Sequence, residues 1–279
     1  MMPALPSVKH LAKGLTVLLA SLSLANPVTA GALPPRSDSK SCGNGNDAEP
    51  PRRIGFLLPR AFDIIDIFGP FEVFQALSRK THLDMFMLAR TLEPVKTEPV
   101  AASMNQFNSS FYPTFNPTHT FADNPPLDVL VVPGGAAARS PDLGPEIEYI
   151  KKVFSSLKYF ITICTGAGIA AQSGVLDGHR ATTNKAAWNT MTPMGPKVKW
   201  VSPARWVEDG KVWSSSGVTA GIDLAFEFVR QKYENGSAIV ESVSGSIEQH
   251  CYHGLARRPL GCQVQCSRDK LRGFVVYGE

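Results

Sequence analysis

The sequence predicts an α/β fold in which a mainly parallel β-sheet is covered by helices on both faces. Short apolar strands alternate with segments of helical periodicity from residue 53 to about residue 254. Strands of unbroken apolar character are typical of parallel sheets that are buried on both sides. Because the roughly two hundred residues of this region contain no internal linker, we expect residues 53–254 to form one domain.

The first half of this domain contains three predicted strands. RIGFLLP (53–59) is the first, and the following helix, PFEVFQALSRK, is expected to open at Gly69-Pro70. LDMFMLAR (83–90) is the second strand, and LDVLVVPGG (127–135) is the third and ends in a glycine pair.

The second half continues the alternation. PEIEYIKKVFSSLK (145–158) places its apolar residues on one side of a helix, and TAGIDLAFEFVRQKY (219–233) is a strongly amphipathic helix. The strand YFITIC (159–164) ends in a cysteine. Three further short strands are predicted, namely KVKWVS (197–202), ARWVED (204–209) and KVWSSSG (211–217).

The residues before the domain have the pattern of a secretory signal. Lys9 and Lys13 precede an apolar stretch, LTVLLASLSLA. The small residues Val28 and Ala30 have the spacing of a signal-peptidase cleavage site. The stretch is shorter than the roughly 20 apolar residues that cross a bilayer. We therefore expect residues 1–30 to be a signal peptide and the protein to be secreted. An uncleaved anchor is the alternative interpretation.

The other segments and the charge are consistent with a secreted protein without a nucleic-acid partner. Residues 31–52 are rich in Pro, Gly, Ser and Asp and are expected to be a flexible leader, and residues 255–279 a C-terminal tail. Asn108 and Asn235 each begin an N-glycosylation sequon. The net charge is +4, and removal of the signal peptide lowers it to +2. So small a charge argues against nucleic acid as a partner. No later segment is apolar enough to span a membrane.

The cysteines point to disulfides and one free thiol. In an oxidising compartment four of the five cysteines could form two disulfides, whose connectivity stays open. We expect the free thiol to be Cys164, because it falls in the middle of the domain while the others lie near the chain ends: Cys42, Cys251, Cys262 and Cys266. A metal site is the rival interpretation of the C-terminal cysteines with His250 and His253, but secretion favours disulfides, and no metal is expected.

Three predicted strand ends carry candidate site residues. Asp66 follows the first strand, Gly134 and Gly135 the third, and Cys164 the fourth. Ligands of open parallel sheets bind outside the carboxyl ends of the strands, so we expect these residues to share one crevice. The glycines would allow backbone N–H groups to approach a substrate or a developing oxyanion closely.

Cys164 is the candidate nucleophile. The small residues Thr165, Gly166, Ala167 and Gly168 follow it, so that a helix can begin at once. The N–H groups and partial positive charge of a helix N-terminus stabilise a thiolate. The alternative is a buried structural cysteine, since cysteine is among the most buried residue types.

Four motifs in this order resemble the ThiJ/PfpI family: DIIDIFGPFEVF, LDVLVVPGG, ICTGAGIAAQSGVLDGHRATT and GVTAGIDLAFEFV. The resemblance covers about residues 53–250 and is greatest to the isocyanide (isonitrile) hydratase branch and to related ligand-binding domains of transcriptional regulators. It implies a class I glutamine amidotransferase-like fold, which is a flavodoxin-like three-layer sandwich, together with no cofactor and a homodimer.

The resemblance also implies roles for individual residues. Cys164 matches the nucleophile, Asp66 the acid that hydrogen-bonds it, and Thr165 the threonine that follows the nucleophile in the hydratases. Asp223 falls at an acidic position of the hydratases and is a further candidate, with a structural hydrogen-bond acceptor as the alternative. Asn184 departs from the pattern, because relatives often carry histidine there, and this indicates an altered pocket.

These residues predict a cysteine-dependent, isonitrile hydratase-like enzyme that adds water to a small isocyanide. The pairing of Asp66 with Cys164-Thr165 favours this function over another cysteine-dependent activity of the family, such as glyoxalase, deglycase or peptidase. A non-catalytic binding or redox-sensing protein is the third hypothesis, which an intact Asp66 disfavours.

Overall fold

The computed structural model describes residues 49–249. Four predicted features lie outside these residues: the signal peptide, most of the leader, the C-terminal tail, and the four cysteines and two histidines near the chain ends. The predicted disulfides and cleavage site therefore stay predictions. Among the helices of the described residues, none combines the length and apolar character that a transmembrane span requires.

The core of the fold is a seven-stranded sheet in the order β10-β11-β7-β6-β1-β2-β5. Its neighbouring strands are parallel, except that β10 and β11 form an antiparallel pair. The strands of the structure are Arg53–Leu57 (β1), Asp84–Ala89 (β2), Val95–Lys96 (β3), Thr114–Phe115 (β4), His119–Thr120 (β5), Val129–Val132 (β6), Tyr159–Ile163 (β7), Arg180–Ala181 (β8), Lys199–Trp200 (β9), Trp206–Asp209 (β10) and Val212–Ser215 (β11).

Helices cover both faces of this sheet. The α-helices are Ile64–Ser78 (α1), Gly144–Val153 (α2), Gly166–Gln172 (α3), Trp188–Met191 (α4), Val218–Lys232 (α5) and Gly236–Ser246 (α6). Short 3-10 helices cover Ala102–Met104, Ala136–Arg139, Phe154–Ser156 and Thr192–Met194. The predicted α/β fold with a mainly parallel central sheet is confirmed.

Alternating strand residues build two separate hydrophobic cores. Phe56 and Ile161 pack into the core on the side of α1, α5 and α6. Their neighbours Leu57 and Phe160 pack into the core on the side of α2 and α3. Since successive strand side chains point to opposite faces, the unbroken apolar strands of the sequence supply both cores.

Helix α1 begins earlier than predicted, and this moves Asp66 into the helix. Asp63 caps the helix, because its carboxylate accepts a hydrogen bond from the N–H of Ile65 at 3.3 Å. Pro70 therefore lies inside α1 instead of at its start. The preceding glycine permits a close helix contact, since a Cβ at Gly69 would lie 2.7 Å from the Ile222 side chain of α5.

Other elements also differ from the sequence prediction. The predicted strand 197–202 is reduced to β9, which pairs with β8 in a separate two-stranded sheet. The antiparallel pair of β3 and β4 and the helix α6 were not predicted. These elements are short or, in the case of α6, rich in serine and glycine, so their apolar pattern is weak.

Candidate active site

Cys164 occupies a tight turn between β7 and α3. Its φ angle is +57°, in the left-handed region that non-glycine residues seldom adopt. Two hydrogen bonds hold this backbone: the Cys164 N–H donates to the carbonyl of Ser215 at 3.2 Å, and the Thr183 hydroxyl donates to the Cys164 carbonyl at 3.0 Å. The predicted strand–turn–helix around Cys164 is thus confirmed, and a strained turn of this kind is typical of a nucleophile.

The loop after β6 touches this turn through backbone atoms. A Cβ at Gly134 would lie 2.4 Å from Thr165 Oγ1 and 2.5 Å from the Thr165 nitrogen. A Cβ at Gly166 would lie 2.3 Å from the carbonyl oxygen of Val132. Only glycine fits at these two positions, and the close contact brings the ends of β6 and β7 together as predicted.

The glycine pair positions two of the predicted site residues. The Gly134 N–H donates to Asp66 Oδ2 at 2.8 Å, and the Gly135 N–H donates to Thr165 Oγ1 at 2.9 Å. The Thr165 hydroxyl in turn donates to the Gly135 carbonyl at 3.2 Å. The two N–H groups that were expected to approach a substrate therefore already have partners within the protein.

Asp66 is a fully buried carboxyl group in the first turn of α1. Burial raises its pKa to about 7; the Gly134 N–H opposes this shift, and the charge of Asp63 adds to it. The Oδ1 atom has no hydrogen-bond partner. The expected hydrogen bond between Asp66 and Cys164 is therefore absent from this structure, because Oδ2 accepts from the Gly134 N–H and Oδ1 accepts from no group.

The Cys164 thiol is held mainly in its protonated form. Burial raises its pKa to about 11, and the negative charge of Asp66 raises it further, while Asn184 and the Thr165 N–H lower it. Between pH values of about 7 and about 11, the pair of Cys164 and Asp66 thus holds one proton in total. In this range the proton lies on the thiol, and the ionised Asp66, whose charge is felt at Cys164, is the candidate acceptor for it.

Asn184 belongs to the site, although the sequence pattern assigned it no role there. Its Nδ2 atom donates to Cys164 Sγ at 3.2 Å. In the sequence it appears only as a departure from the family pattern, twenty positions from the cysteine. The contact requires the segment after β8 to lie against the turn after β7, which the sequence pattern does not encode.

Asp223 lies in a different set of interactions. It is buried on α5, and Arg205 Nε donates to its Oδ2 atom at 2.5 Å. This ion pair ties α5 to the segment before β10. The structure thus supports the structural interpretation of Asp223.

The histidines of residues 49–249 have polar partners away from the thiol. His82 contacts Asp84, His119 contacts Thr118, and His179 contacts Asp209. In this part of the chain, no hydrogen bond joins an imidazole to Cys164, and the side-chain donor at its sulfur is the Asn184 amide.

Comparison with known proteins identifies the family of this chain. A model of the DJ-1/PfpI family matches residues 52–231. The chain belongs to the DJ-1/PfpI family. The ThiJ/PfpI resemblance of its motifs is thereby confirmed.

Individual relatives refine the comparison. An isonitrile hydratase of Pseudomonas putida is 32% identical over 182 residues, which cover 64% of this chain and 71% of the relative. A deglycase of Pyrococcus abyssi is 40% identical over 93 residues, 33% of this chain and 54% of that relative. The crystal structure of a ThiJ/PfpI family protein from Pseudomonas syringae has a TM-score of 0.58 at 24% identity, covering 79% of this chain and 83% of that one. This similarity confirms the family fold.

Proposed function

We propose that this DJ-1/PfpI protein is a cysteine-dependent enzyme that adds water to an isocyanide and releases an N-substituted formamide. The observation that carries the proposal is the geometry of the site: Cys164 lies in a strained turn, the Asp66 carboxyl is buried with an unpartnered Oδ1, and in the described chain the thiol contacts an amide and no imidazole. The similarity to an isonitrile hydratase supports it.

The first step forms a thioimidate. The unpartnered Oδ1 atom of Asp66 can accept a hydrogen bond, so the thiol must first turn to it. The Cys164 thiol then gives its proton to Asp66, and the sulfur attacks the isocyanide carbon, forming the C–S bond. Asp66 then gives the same proton to that carbon, forming a C–H bond. No group leaves in this step, so it requires one mobile proton and no second acid. The pair of Cys164 and Asp66 supplies this need.

The second step releases the product. Water adds to the carbon of the thioimidate, the C–S bond breaks, and the substrate nitrogen takes a proton from the attacking water. The sulfur leaves as a thiolate and regains the remaining proton, which restores the starting pair. The product is the formamide, whose oxygen comes from water.

Peptide chemistry requires more from the site. An amine leaving group needs an acid at its nitrogen, which papain-like sites supply with histidine. The described residues offer Asp66 as the proton carrier near Cys164, and it is already needed as the acceptor for the thiol proton. The partial similarity to a deglycase nevertheless makes carbonyl chemistry the second candidate function.

Incubation with a panel of alkyl and aryl isocyanides and with methylglyoxal tests the proposal. We expect the isocyanides to gain the mass of one water, with ¹⁸O from labelled water appearing in the formamide. Mass spectrometry measures both. Conversion of methylglyoxal without conversion of any isocyanide would replace the proposed function with the second candidate.

We further propose that the chain enters the secretory pathway with residues 1–30 removed. The side chains of Asn108 and Asn235 are both exposed, so an oligosaccharyltransferase could reach them. We expect mature protein that begins near Gly31, with two disulfides and one free thiol. Intact-mass analysis before and after reduction measures this, and a retained Met1 with five free thiols would contradict it. The homodimer implied by the family also stays a prediction.

A further inference from the structure

The Asn184 side chain makes a direct contact with the reacting atom of the site. Its Nδ2 atom lies 3.2 Å from Cys164 Sγ, within hydrogen-bond distance of a sulfur. The residue is half-buried, and the cysteine is buried. An N–H group in this position donates more strongly to a thiolate than to a thiol, because the acceptor then carries a full charge.

Two backbone groups decide which end of the amide faces the sulfur. Asn184 Oδ1 accepts hydrogen bonds from the N–H groups of Ala186 at 2.9 Å and Ala187 at 3.3 Å. A reversed amide would place its NH₂ against these two donors and leave both N–H groups without an acceptor. That contact would be repulsive, so the donor end of the amide faces Cys164.

Neighbouring side chains hold the turn that carries Asn184. The Thr183 hydroxyl donates to the Cys164 carbonyl at 3.0 Å. Lys185 Nζ donates to Thr182 Oγ1 at 2.6 Å and to the Thr183 carbonyl at 3.0 Å. The amide is therefore fixed against the sulfur before any substrate binds, and it needs no reorganisation when charge develops.

We propose that Asn184 is a further catalytic residue, a fixed neutral donor that stabilises the Cys164 thiolate while its proton is on Asp66. Burial and the charge of Asp66 both disfavour the thiolate, and the Asn184 hydrogen bond lowers the pKa of Cys164 against them. Unlike an imidazole, an amide does not titrate, so this donor is present at every pH at which the protein is folded. The proposal concerns the reactivity of the thiol and does not depend on an isocyanide being the substrate.

Alkylation of Cys164 by iodoacetamide in the full-length protein tests this, with the modified peptide quantified by mass spectrometry to separate Cys164 from the other cysteines. Asn184→Ala removes the donor without adding a charge. We expect its alkylation rate at pH 8 to fall about threefold to tenfold, since loss of a hydrogen bond to a charged group raises a pKa by about one unit and the higher basicity offsets part of the loss.

Asn184→Asp distinguishes the donor role of the side chain from its role in holding the turn. Its carboxylate keeps the acceptor for Ala186 and Ala187 but places a negative charge in place of the N–H group, so alkylation should fall further than in the alanine variant. Asn189→Asp is the matched control, because it adds the same charge at an exposed position on α4. We expect it to react at the wild-type rate.

The outcome is decisive in either direction. Slower alkylation in both Asn184 variants, with Asn189→Asp unchanged, supports the proposal. Wild-type rates in the Asn184 variants would overturn it, even if isocyanides are turned over. If Asn184→Ala does not fold, Asn184→Asp keeps the hydrogen bonds of the turn, and a wild-type alkylation rate in that variant overturns the proposal by itself.

Discussion

Replacing Cys164 with serine is expected to lower isocyanide turnover by about 1000-fold or more, to below detection. A serine hydroxyl is a far weaker nucleophile than a thiolate at neutral pH, and Asp66, whose pKa lies at about 7, is too weak a base to ionise it. Formation of the aryl formamide, followed by absorbance or mass spectrometry, measures the loss.

The fold should survive this substitution, because oxygen and sulfur differ little in size and Asn184 can donate to either. Circular dichroism and thermal unfolding check that. Prior alkylation of wild-type Cys164 by iodoacetamide should abolish turnover in the same way. Wild-type turnover in Cys164→Ser would show that the nucleophile is a different group.

Replacing Asp66 with asparagine is expected to lower the rate by roughly 100-fold or more, because the proton of the thiol then has no acceptor. The fold should persist, since the amide oxygen can still accept from Gly134 and a buried charge is removed. Asp63→Asn is the matched control: asparagine can also cap α1, and the charge lost there lies outside the proton path. We expect it to change the rate by only a few fold.

The pH profile gives the same substitution a second readout. In wild type, Asp66 becomes protonated as the pH falls through about 7, and the pair then holds two protons, so that kcat/KM falls on the acid side. Above a pH of about 11 the pair holds no proton and kcat/KM falls again. Asp66→Asn should lose the acid limb. An unchanged acid limb in this variant would assign that limb to another group.

Most of the sheet could be predicted from the sequence, because its strands are short, apolar and buried on both faces. The start of α1 could not, since Gly69-Pro70 resembles a helix N-terminus by local rules. The true start depends on capping by Asp63 and on packing of Gly69 against Ile222 of a helix far along the chain. Two local signals compete here, and the Asp63 cap prevails over Gly69-Pro70 in a helix whose glycine also packs against a distant segment.

The site was predicted in the same uneven way. Residues that follow strands, such as Cys164 and Gly134, were located because parallel strand ends must converge. The hydrogen-bond partners within the site could not be read from order along the chain. Gly134 and Gly135 turn out to hold Asp66 and Thr165, and Asn184 reaches the sulfur from a segment with no regular period.

The backbone contact between the loop after β6 and the turn after β7 has a consequence for how this site could be altered in evolution or in the laboratory. Neither Gly134 nor Gly166 can acquire a side chain without separating the two strand ends. These two positions are closed to variation, whatever the substrate. A change of specificity must therefore come from residues that meet the site through their side chains and leave the joined strand ends intact.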